Sequence, residues 1–104
     1  MNETAESGSG YPGYEALQSV LIAALEQASL GKGKERHAND EPFHQQEICS
    51  EAKKLGLGAP AFQVRKKTRE AIRLAERGYQ ELAVEDLLGA INYAAAMVIV
   101  IQGE

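Results

Sequence analysis

The apolar positions of this chain fall into four stretches, and within the first three they recur at three- and four-residue spacing. That rhythm lines up side chains on one face of an α-helix, whereas a half-buried strand would alternate every second residue. The first stretch predicts a helix over 14–30, with Leu17, Val20, Leu21, Ala24, Leu25 and Ala28 as its buried stripe and Gly31 as its stop. The second predicts a helix over 43–55. Ile48, Ala52 and Leu55 form its stripe, Phe43 and Cys49 lie beside it, and Asn39 or Asp40 caps it with Pro42 in the first turn. The third predicts a helix over 60–77, with Ala61, Val64, Thr68, Ala71, Ile72 and Ala75 turned inward and Gly78 ending it.

The fourth stretch, 79–101, organises the rest. Its first half is amphipathic, and 93–101 is apolar on every side, the mark of a helix surrounded by protein. The run 98–101 has a strand-like composition, but no partner strand is evident elsewhere, so the helix is kept. Leu82, Leu87, Leu88, Ile91, Ala94, Ala95, Val98 and Ile101 are expected in the core. Asn92, set among them, needs a buried hydrogen-bond partner. Gly89 in mid-helix implies that another helix approaches closely.

The expected fold is all-α: one domain of about four helices over 14–104, with the apolar C-terminal helix at its centre. The segment 1–13 is an acidic, Ser/Gly-rich tail ending in the turn Tyr11-Pro12-Gly13, and it reads as disordered. Three shorter helices are too few to cover 93–101, so a homo-oligomer joined through the fourth helix is expected.

Composition narrows the classes of function. A net charge of -4 argues against a general nucleic-acid binder. The single Cys49 excludes an internal disulfide and points to a cytoplasmic setting with a reduced thiol. The acidic N-terminus does not read as a signal peptide. The run 93–101 is shorter than the roughly 20 residues a membrane span requires, so no membrane partner is expected.

Two features carry candidate chemistry. In the segment 31–42, two glycines alternate with Lys32 and Lys34, followed by Arg36 and His37. Glycine backbone can converge its N–H groups on an anion while the cations supply charge. The same segment also reads as a plain solvated connection. The third helix carries Arg65, Arg69, Arg73 and Arg77 at i,i+4 spacing, flanked by Lys66 and Lys67. Like charges so placed repel, so an anionic partner is expected: carboxylates of helix four, another subunit, or a phosphate. The bland alternative is a solvated charged face. No Ser/His/Asp or Cys/His pattern marks a catalytic residue, and His37 and His44 make no recognisable metal-ligand set.

Two resemblances add expectations. Glu85-Asp86-Leu87-Leu88-Gly89-Ala90-Ile91-Asn92-Tyr93 resembles the last motif of the all-α MazG-type nucleotide pyrophosphohydrolases. In that family a Glu, a Gly-Asp pair and a downstream aromatic lie on a core helix, and the acids hold magnesium. The resemblance implies a metal set of Glu70, Glu81, Glu85 and Asp86. The chain departs from the pattern at Ala90, where that family has Asp, and its facing helix is rich in Arg and Lys. Second, Gly33-Lys34-Glu35-Arg36-His37-Ala38, Pro42-Phe43, Gln46, Lys66-Lys67 and the 85–93 motif together resemble small helical proteins encoded by bacteriophages. Some of those are oligomeric sponges that sequester nucleotide immune signals, and others inhibit host proteins.

The leading expectation is a non-catalytic binding protein, without cofactor, for a small anionic ligand such as a nucleotide. Lys32, Lys34, Arg36, His37, Arg65, Arg69 and Arg73 would bind its phosphates, and Tyr11, Phe43, Tyr14 or Tyr79 would stack on a base. The alternatives are a degenerate magnesium-dependent MazG-like hydrolase and a protein-interaction module acting on a host factor.

Overall fold

The computed structural model describes residues 10–30 and 41–103. Among them are four α-helices, α1 (Glu15–Leu30), α2 (Glu47–Leu55), α3 (Gly58–Glu76) and α4 (Gln80–Gln102), with a 3-10 turn at Phe43–Gln45 before α2. No strand occurs among the described residues, and 98–101 is helical. Helix α4 is the hub: α3 packs along it most extensively, α1 and α2 also lie on it, and α2 touches α3 as well.

The ends of α3 follow from local chemistry. Gly78 takes a φ of 88°, in the left-handed region that side-chain-bearing residues avoid. This lets the Gly78 N–H donate to the Ala75 carbonyl at 3.1 Å and the Tyr79 N–H to the Leu74 carbonyl at 2.8 Å. That pair of bonds satisfies carbonyls the helix end would otherwise leave open. The chain turns sharply there, and α4 runs back along α3. The Gly31 stop and the Asn39 or Asp40 cap lie outside the described residues.

The predicted helix over 43–55 is broken in two. Phe43–Gln45 forms one 3-10 turn, Gln46 is extended with ψ of 165°, and α2 begins only at Glu47. The Gln46 side chain explains the break: its Nε2 donates to the Glu41 carbonyl at 2.7 Å, folding the chain back on itself. Gln46 is 8% exposed, so its amide is buried but satisfied.

The core is built from small residues. Ala24 and Ala28 of α1, Ala52 of α2, Ala71 of α3 and Ala83, Gly89, Ala90 and Ala96 of α4 are buried. Ile48, Cys49 and Ala96 form its tightest cluster, with Phe43, Tyr93, Ile99 and Val100 packed against it. This corrects several expectations. Leu17, Val20, Leu21 and Leu25 of α1 are exposed, as are Leu55, Ile72, Leu82, Leu87, Val98 and Ile101. Ala61, Ala75 and Ala94 are exposed too. Small residues fill the buried positions between the helices, and their bulkier neighbours lie exposed on the flanks. The α3 stripe accordingly shifts to Pro60, Val64, Lys67, Thr68, Ala71 and Leu74. The second half of α4, expected to await another subunit, is partly covered by Phe43, Ile48 and Cys49 of this same chain.

The argument from length against a membrane span also changes. Taken whole, α4 is 23 residues long and, by length and composition, apolar enough to cross a membrane. In this fold it packs against three other helices.

Candidate functional site

Polar side chains join α1 to α4 across the core. Asn92 donates through Nδ2 to the Ala24 carbonyl at 3.0 Å and to Gln27 Oε1 at 3.4 Å. Gln27 in turn donates through Nε2 to the Glu85 carbonyl at 3.0 Å. The partner expected for Asn92 is therefore a main-chain carbonyl of α1.

Beside this link lies a gap between α1 and α4, bordered by the turn at Phe43. It is a cleft of about 690 Å³. Its walls are Leu21, Leu25 and Ala28 of α1, Phe43, and Ile91, Ala95 and Ile99 of α4. Its polar points are Ser29, Glu41, Gln46 and Asn92. The N–H groups of Asn92 reach Ala24 and Gln27, and Gln46 gives one to Glu41. Their carbonyl oxygens are what they can offer to a bound molecule. A second hollow, of about 450 Å³, lies along α1 between Tyr11, Tyr14, Leu17, Gln18, Leu21, Ile22 and Leu25. A third, of about 70 Å³, sits where α2, α3 and Tyr93 meet.

The predicted site residues are distributed unevenly over this geometry. Phe43 lines the large cleft. Tyr11 and Tyr14 line the α1 hollow instead. Lys32, Lys34, Arg36 and His37 lie outside the described residues. Arg65, Arg69 and Arg73 on α3, and Arg77 just after it, are exposed and line none of these three cavities, so the structure does not bring the row together with Phe43 or Tyr11. Among the described residues, the ion-pair partner of the row is Glu70 of its own helix, 3.5 Å from Arg73. The row was expected to meet carboxylates of helix four, another subunit or a phosphate. A solvated i,i+3 pair contributes only tenths of a kcal/mol. Arg77 lies over the Tyr79 ring at 5.7 Å.

Among the described residues, no three His, Cys, Asp or Glu side chains are grouped so that they could hold a metal ion. Cys49 is fully buried, and burial pushes its thiol above the ordinary value of 9.0, against a smaller opposing pull from the Lys53 charge. A thiol so placed stays protonated at neutral pH and is a core residue, not a nucleophile.

One residue was missed. Lys67 lies in the crevice between α3 and α4. A β-carbon on Gly89 would meet its Cδ at 3.2 Å and Cε at 3.3 Å, and its Nζ stands over the Tyr93 ring at 5.8 Å. The close approach that Gly89 implied is that of α3, made through the Lys67 stem. The signal was present: Lys67 falls three residues after Val64 and four before Ala71, on the buried stripe itself.

No family model matches the chain, and neither does a curated protein nor a solved structure.

Proposed function

We propose that this protein is a non-catalytic binding protein for a small anionic ligand with a flat, apolar part, a nucleotide being the class that combines the two. The observation that carries this is the cleft between α1, Phe43 and α4. Its volume of about 690 Å³ falls in the range of small-molecule sites. An apolar lining with a few polar points suits a base, with Phe43 as the stacking surface. The carbonyl oxygens of Asn92 and Gln46 suit a ligand N–H such as an exocyclic amine. The chain leaves α1 beside the lining residue Ser29 and returns at the lining residue Glu41. Lys32, Lys34, Arg36 and His37, which fall between Ser29 and Glu41 in the sequence, would supply the charge for phosphates in this reading. In this reading the protein acts as a sponge for a nucleotide signal, in line with its resemblance to small phage-encoded helical proteins. The arginine row, away from the cleft, supports a second reading, a module docking on an acidic protein surface.

A thermal-shift screen against linear and cyclic nucleotides, with inorganic phosphate alongside, tests the proposal. A ligand at about 100 times its Kd stabilises the folded state by about 2.7 kcal/mol. The expected result is a shift with a nucleotide that is lost in Lys34→Ala/Arg36→Ala, the nucleotide being recovered intact. Cleaved nucleotide would restore the hydrolase reading. No shift with any nucleotide would leave the docking module.

A further inference from the structure

One shallow hollow is lined by Tyr11 and by six residues on the outer face of α1 or just before it: Tyr14, Leu17, Gln18, Leu21, Ile22 and Leu25. Their large apolar members are roughly half exposed, and Leu25 reaches 63%. Monomers seldom leave a contiguous apolar strip of this size uncovered.

The order of the six residues points to what covers it. They pair off about a point midway between Gln18 and Leu21: Tyr14 with Leu25, Leu17 with Ile22, and Gln18 with Leu21. A two-fold axis through that point would set each residue against the other member of its pair on a second, antiparallel helix. That is the signature of an isologous contact, in which one patch is complementary to itself. Tyr14, Gln18, Leu21 and Leu25 also follow one another at 4-3-4 spacing, the seam along which two helices stay in register. Antiparallel alignment sets the helix dipoles head to tail as well.

Charge and area agree. The charged residues of α1 are Glu15 and Glu26, neither in the hollow, so nothing on the face repels a second copy. The helix has no Lys or Arg, which a helix resting on an anionic lipid surface would carry. Five large apolar side chains, roughly half exposed, make a strip on the order of a few hundred Å², toward the low end of what each partner gives to a specific interface.

We infer that α1 is the contact of a two-fold homodimer, paired antiparallel about the midpoint of Gln18 and Leu21. The contact uses the hollow, and Leu21 and Leu25, which also line the large cleft, lie where the two adjoin; the inference does not rest on the ligand reading.

Light scattering on the purified full chain tests it. The expected mass is twice the 11.2 kDa of one chain. It should fall to that of one chain in Leu17→Glu/Ile22→Glu, while Val98→Glu/Ile101→Glu on α4 leaves the dimer intact. Gln18→Cys gives a second test that does not depend on how the double variant folds. A bismaleimide should join it to a covalent dimer, whereas Glu26→Cys and the wild type, with its buried Cys49, should remain single chains. A wild type of one chain's mass, a dimer lost only through the α4 variant, or no cross-link at Gln18→Cys would overturn the inference. So would co-sedimentation of the wild type with phosphatidylcholine vesicles, with or without phosphatidylserine.

Discussion

At Gly89 two opposed effects can be weighed. A glycine in mid-helix costs about 1 kcal/mol relative to alanine. Here the missing β-carbon leaves room for the stem of Lys67, whose Cδ would stand 3.2 Å from it, and whose Nζ lies over Tyr93. A lysine stem can yield a few tenths of an ångström, but doing so pulls the ammonium from the ring, a contact worth about 0.5–1 kcal/mol. Gly89→Ala alone is therefore expected to gain clearly less than the full propensity term. With Lys67→Ala in the background, the same change should gain all of it, about 1 kcal/mol. A double-mutant cycle by urea denaturation measures the difference. Equal gains in both backgrounds would show that the Lys67 contact carries no weight at Gly89.

At the scale of elements, α1 is held differently from the rest. Helices α2 and α3 contact each other and α4, whereas α1 packs chiefly on α4. Its fastening there is two buried alanines and the bonds from Asn92 and Gln27. Such bonds contribute about 1 kcal/mol each. Asn92→Ala and Gln27→Ala are each expected to raise amide exchange within α1 several-fold, while α3 and the second half of α4 keep their protection. Uniform loss of protection along the chain would mean instead that α1 opens only when everything unfolds. The sequence was informative on such elements to a definite depth. The stop at Gly78 was legible because a left-handed glycine is a local property, and α4 as the hub was legible from its unbroken apolar length. The break at Gln46 was not, because it depends on one side chain reaching back to Glu41. The burial pattern was misjudged because periodicity finds the apolar face but not which of its members the neighbouring helices cover, and here they cover alanine and leave leucine outside. Of the cleft, only Phe43 was legible as a site residue, since the lining comes together from α1, the turn before α2 and α4.

The whole molecule inherits the consequence of that choice. Its core is mostly alanine around Ile48 and Cys49, while Leu17, Leu21, Ile22 and Leu25 stand exposed. Burying one such side chain fully is worth about 1.5–3 kcal/mol, several times what an alanine methyl supplies. A single chain therefore leaves much of its hydrophobic stabilisation unused, and a paired α1 recovers part of it. If folding and pairing are one step, stability depends on protein concentration by mass action. Each tenfold rise in concentration adds about 1.4 kcal/mol per dimer, or half that per chain. For a domain of this size, 1 kcal/mol moves Tm by roughly 4–8 °C. A hundredfold increase in concentration is then expected to raise Tm by roughly 5–10 °C. The slope should vanish in Leu17→Glu/Ile22→Glu, whose two carboxylates would face each other's partners across the two-fold axis. Calorimetric scans at two concentrations decide it: a Tm independent of concentration in the wild type would mean that the alanine core suffices alone and that the α1 face adds nothing to the fold.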